Sequence, residues 1–97
     1  MNYHTHEEIS ELDLTQIKST DTTFMVCNLN KVSFVQAEMI SPTFKHVIFN
    51  ECNLTSTQMY SASLRSCNLN KTINCIGLHI ENSELEKVSF ATTDLRG

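Results

Sequence analysis

Four cysteines, four histidines and eleven acidic residues are the side chains in this 97-residue chain whose types could do chemistry. Cys27, Cys52, Cys67 and Cys75 could bind a metal, form disulfides or act as nucleophiles, but no pair shows the C-x-x-C spacing of a zinc site. His4 and His6 form an H-x-H run, and a metal there would need Glu7, Glu8 or another chain to complete it. His46 and His79 stand alone. No nucleophile–base arrangement, paired catalytic carboxylates or phosphate loop is legible, and Gly77 and Gly97 are the sole glycines. Asn53-Leu54-Thr55 and Asn70-Lys71-Thr72 match the glycosylation sequon, but no secretory leader precedes them. The chemistry-bearing residues therefore point to no enzyme, no metal and no cofactor.

The elements that hold these residues are bounded by composition. Apolar residues make up 40% of the chain and charged residues 19%, which excludes disorder and a membrane-spanning class. Net charge is −4 and Lys and Arg are scattered singly, so direct nucleic-acid binding is not expected. Without a leader, the expected location is cytoplasmic and the expected thiol state is reduced.

A test for internal repeats finds a period of five. Phe24, Leu29, Phe34, Met39, Phe44, Phe49, Leu54, Met59, Leu64 and Leu69 are all large and apolar. Two residues before each stands a compact one: Thr22, Cys27, Val32, Ala37, Pro42, Val47, Cys52, Thr57, Ala62 and Cys67. The phase slips by one near Asn70–Thr72 and resumes as Cys75, Ile80, Leu85, Phe90 and Leu95, preceded by Ile73, Leu78, Ser83, Val88 and Thr93. Leu12, Leu14 and Ile17 extend the pattern upstream, while Ser19 occupies a large-residue position and does not fit.

Neither a helix nor a plain strand buries such a pattern. Five steps of about 100° never return to one helix face, and five steps of a strand reverse the side. A short straight side followed by a corner does bury it, with the compact and large residues both pointing inward. Four sides close a coil of twenty residues, and coils stack as parallel strands roughly 4.8 Å apart. Like then sits over like: Phe24, Phe44, Leu64 and Leu85 in one column, and Ser19, Met39, Met59 and Ile80 in another. Cys27 and Cys67 fall two coils apart, too far for a disulfide, so the thiols read as small core residues. The interior leaves no room for polar atoms, Pro42 should lie at a corner or cost a ladder bond, and the slip should bulge a corner and re-aim the outer residues Lys71 and Thr72.

Units such as Cys27-Asn28-Leu29-Asn30-Lys31, Cys52-Asn53-Leu54-Thr55-Ser56 and Cys67-Asn68-Leu69-Asn70-Lys71 resemble the pentapeptide-repeat family. The resemblance implies an all-β fold, a right-handed quadrilateral parallel β-helix of about four coils over residues 12–97, after a capping segment at residues 1–11. The mixture of Cys, Val and Phe is similar to the quinolone-resistance (Qnr-type) branch, bacterial proteins that mimic DNA and bind gyrase. The outward charges here mix signs: Glu38, Glu51, Glu84, Glu86 and Asp94 among Lys31, Lys45, Arg65, Lys87 and Arg96. The first expectation is thus a rigid module that binds a protein partner the sequence does not name. Gyrase protection by DNA mimicry is the second, and a fragment of a larger bacterial effector the third. An uncovered last coil would expose strand edges, so a homodimer through Val88, Phe90, Thr93 and Leu95 is expected.

Overall fold

The five-residue period becomes eleven short strands in the computed structural model, which describes residues 3–89. They are β1 (Tyr3–Thr5), β2 (Glu8–Ser10), β3 (Lys18–Thr20), β4 (Thr23–Asn30), β5 (Glu38–Ile40), β6 (Thr43–Asn50), β7 (Gln58–Tyr60), β8 (Ser63–Arg65), β9 (Asn68–Lys71), β10 (His79–Glu81) and β11 (Glu84–Glu86). All pairings are parallel. One sheet runs β1-β4-β6-β8-β11, with β2 on β4 and β9 on β6, and folds across a corner to supply two sides. A second sheet, β3-β5-β7-β10, supplies another. The remaining side is held by single bridges through Asp13, Ser33, Asn53 and Asn74. The result is a β-solenoid of about four turns, with no helix among the described residues. No described helix is therefore long and apolar enough to cross a membrane.

Register shows why twenty residues close one turn. Phe24 pairs with Phe44, Cys27 with Val47 and Met39 with Met59. Past the slip the step is twenty-one: Gln58 pairs with His79 and Ser63 with Glu84. The shift falls in β9, where Asn68 pairs with Ile48 but Lys71 with Asn50. Phe24, Leu29, Phe34, Met39, Phe44, Phe49, Leu54, Met59, Leu64 and Leu69 line the buried interior. The Phe24 and Phe44 rings stack at 5.2 Å and 7°, and Phe49 closes on Phe44 at 5.4 Å. Each such buried side chain contributes roughly 1.5–3 kcal/mol.

The corners carry the backbone cost. From His6 to Ser66 every fifth residue has φ between 54° and 62°, and Gly77, Asn82 and Lys87 continue the series past the slip. This left-handed conformation turns the chain by a right angle at the second of the two outward residues that follow each large one. Most corners use Asp, Asn, Ser, Lys, Gln or Glu, whereas Val26 is β-branched there. Val26→Asn is expected to raise stability by about 1 kcal/mol in urea denaturation. On the bridged side, the amides of Thr15, Thr55 and Ile76 donate to the side chains of Asp13, Asn53 and Asn74 at 2.8–3.0 Å, which is why Asp or Asn recurs before the large residue.

Several expectations need correction. Residues 3–10 are not a separate cap: β1 and β2 pair in register with β4 as the first coil. Ile73 does not enter the compact inward series; it is 67% exposed. The extra residue turns Thr72 inward instead, where its Oγ1 donates to the Leu69 carbonyl at 2.9 Å. Leu85 pairs over Leu64 but is 50% exposed, because no described coil lies above it. Ile80 and Val88 are only partly buried for the same reason. Phe90, Thr93 and Leu95 lie outside the described residues. Pro42 is buried at the corner before β6 and costs no ladder bond. The matching amide one coil on, that of Ala62, donates to the Ser83 hydroxyl at 2.9 Å, so the ladder does not use that position.

Candidate functional site

The interior does admit polar atoms, contrary to the expectation from packing, and their partners explain how. Thr57 Oγ1 donates to the Phe34 carbonyl at 2.7 Å. The Cys52 thiol donates to the Leu29 carbonyl and the Cys67 thiol to the Phe44 carbonyl, both at 3.2 Å. In each case the compact residue reaches a carbonyl of the coil below, so the donor is satisfied within the wall. The repeat therefore tolerates Thr and Cys at compact positions at little cost.

These contacts also disarm the thiols. Burial pushes the Cys52 thiol up to about 11 from 9.0, and burial likewise raises Cys67. All four cysteines are free and buried. A thiol whose folded pKa exceeds its unfolded value supports the folded state fully below the unfolded value and loses that support as pH climbs through the folded one. Stability should accordingly fall between pH 9.0 and about 11, and Cys52→Ala should flatten that fall. Iodoacetamide at neutral pH should label the native chain at less than about one hundredth of the denatured rate.

No catalytic arrangement assembles from the other candidates. His79 Nε2 lies 2.8 Å from Glu81 and its ring packs at 5.8 Å on Tyr60. His46 is an exposed corner residue. His4 and His6 do not share a site: His6 is a corner, bonded to Thr5 Oγ1 at 2.8 Å, while His4 points inward and stacks on Phe24 at 4.9 Å and 11°. Glu7 Oε1 lies 3.0 Å from His4 Nδ1. Among the described residues no group of three or more His, Cys, Asp or Glu could hold a metal ion.

The outer surface presents ordered columns instead. Gln16 Nε2 donates to Gln36 Oε1 at 2.8 Å, and Asn50 Nδ2 to Asn30 Oδ1 at 3.0 Å, each a rung between coils. Gln16, Lys18, Gln36, Glu38, Ser56 and Gln58 line a shallow polar depression of about 570 Å³. On another corner Val26 and Ile48, both exposed, share a depression of about 400 Å³ with His6 and His46. Charge alternates along one edge, which reads Glu11, Lys31, Glu51 and Lys71. Arg65 bridges Glu84 at 3.4 Å and Glu86 at 3.6 Å, and such exposed pairs contribute about 0–1 kcal/mol.

The first coil is where sequence reasoning fell short. Ser19 Oγ and Thr22 Oγ1 are buried without a partner, beside a cavity of about 60 Å³ bordered by His4, Leu12 and Phe24. The misfit of Ser19 was legible as a missing large side chain. The inward turn of His4 was legible too, since it lies twenty residues before Phe24, in the same column.

Residues 43–73 match the family model for pentapeptide repeats (8 copies). No curated protein matches the chain. The matched stretch is the middle of the solenoid, and the same five-residue sides and left-handed corners continue on both sides of it, from His6 to Lys87. The chain thus carries pentapeptide repeats, by the family match over residues 43–73 and by the same repeated geometry through the other described residues.

Proposed function

We propose that the chain is a rigid, non-enzymatic module whose outer faces and ends bind another protein. The observation that carries this reading is the division of labour along the repeat. Save for Ser19 and Thr22, the inward side chains are taken up by packing or by hydrogen bonds within the wall, while outward ones stand at fixed spacing on a backbone pinned at every coil. Such a scaffold loses little conformational freedom on binding, which favours recognition over catalysis. Exposed apolar residues on the faces, Ile40, Ile48 and Ile76, supply contact points among polar columns.

The alternative, a DNA mimic that binds gyrase, needs a continuous acidic stripe. The alternation of Glu11, Lys31, Glu51 and Lys71 and the position of Arg65 between Glu84 and Glu86 weigh against it. A photo-crosslinker placed at Ile48 or Ile76 should capture one reproducible partner from the cells that make the protein. Recovery of no partner from either position would count against the module reading. Protection of gyrase from a fluoroquinolone in a supercoiling assay would favour the alternative.

A further inference from the structure

We infer that the open end of the first coil takes an extended, basic segment of another polypeptide, added as one more parallel strand. This deepens the interaction-module reading and rests on it. Three observations converge on that end.

The first is unpaired backbone. Among the described residues β1, β2 and β3 each pair on one side only. One coil up, the amides of Asn28, Ser33 and Glu38 donate down to the carbonyls of Glu7, Leu12 and Ile17 at 2.8–3.0 Å. The equivalent amides of the first coil are those of Glu8, Asp13 and Lys18, and the repeat aims them away from the body. A row of such donors is a template for strand addition.

The second is charge. The first coil holds Glu7, Glu8, Glu11, Asp13 and Asp21 against Lys18 alone, so its five carboxylates and one lysine equal the net −4 of the whole chain. The hydroxyl and then the amide of Thr15 hold the Asp13 carboxyl below its ordinary value. A second copy complements this end poorly: its own first coil repeats the five carboxylates, and residues 71–89 at the other end carry Glu81, Glu84 and Glu86 against Lys71 and Lys87. Complementary charge belongs to a lysine- or arginine-bearing segment.

The third observation is the cavity. Thr22 is only 7% exposed, and its hydroxyl and that of Ser19 have no partner. Native structures rarely leave such groups unsatisfied. An added strand would close over the 60 Å³ cavity that Ser19 and Thr22 border together with His4, Leu12 and Phe24.

The test is titration of the full chain, isotopically labelled for NMR, with a short peptide of alternating lysine and threonine and with its glutamate–threonine counterpart. The inference expects the lysine peptide alone to bind, with shifts confined to residues 3–22 and slowed exchange at the Glu8, Asp13 and Lys18 amides. Combining Glu8→Gln, Glu11→Gln and Asp13→Asn should weaken binding by at least about tenfold, as should high salt. Ser19→Met should raise the melting midpoint yet weaken the peptide, because it fills the cavity. Equal binding of both peptides, no binding by the unaltered chain, or dimerisation through the first coil overturns the inference. Shifts confined to the outer faces also overturn it, while leaving the module reading intact.

Discussion

Phe44→Asp leaves no folded protein. Phe44 is fully buried in the third coil, stacked on Phe24 below and meeting Phe34 at 6.4 Å and Phe49 at 5.4 Å. A carboxylate there finds no cation and no free donor. Among the described residues, the interior donors already serve carbonyls of the wall or, for Cys75, the Thr72 hydroxyl, save the Ser19 and Thr22 hydroxyls in the coils below. An unpaired buried charge costs more than the roughly 5–15 kcal/mol that holds a domain of this size together. Phe44→Ala is the milder probe. It leaves a cavity among three aromatic neighbours and should cost about 3–5 kcal/mol in urea denaturation. A loss below about 1 kcal/mol would mean that the rings are not packed as described.

Deleting one residue should have opposite consequences at two corners. Removal of His46 takes away the left-handed corner inside β6 and displaces every later residue from its partner by one. Leu54, Met59, Leu64 and Leu69 then turn outward, and losing roughly 1.5–3 kcal/mol for each exceeds the stability of the fold. Removal of Asn70 instead erases the one-residue slip in β9 and restores a uniform step of twenty. That variant should fold, with a melting midpoint within a few degrees of the parent. Circular dichroism melts of the two deletions read the difference directly. A folded His46 deletion would show that the corners absorb a missing residue as readily as an added one.

Much of this architecture was legible because one physical constraint repeats. A narrow interior accepts only a compact and a large side chain per side, so the spacing of Phe24, Leu29, Phe34 and Met39 is enough to announce the wall. The slip was legible from the same pattern. Which residue yields at the slip was not, because it depends on corner geometry: Thr72 can donate to the Leu69 carbonyl while turned inward, and Ile73 cannot. Polar atoms in the wall were misjudged for a related reason. Sequence shows the polarity of Thr57 and Cys52 but not the carbonyl one coil below that satisfies it. The ends were hardest to read. Leu85 belongs to the repeat and pairs in register, yet burial needs a coil above it as well as below. The acidic first coil required the closure of the turn before Glu7, Glu8, Glu11, Asp13 and Asp21 became neighbours around one end.

Backbone proton contacts in solution test the winding most directly. If the chain closes a turn as described, inter-strand contacts join each residue to the one twenty ahead through the pairing of Ile48 with Asn68, and to the one twenty-one ahead from Asn50 onward. Contacts three and four residues apart in long runs, or a single unbroken step through Asn70, would contradict it.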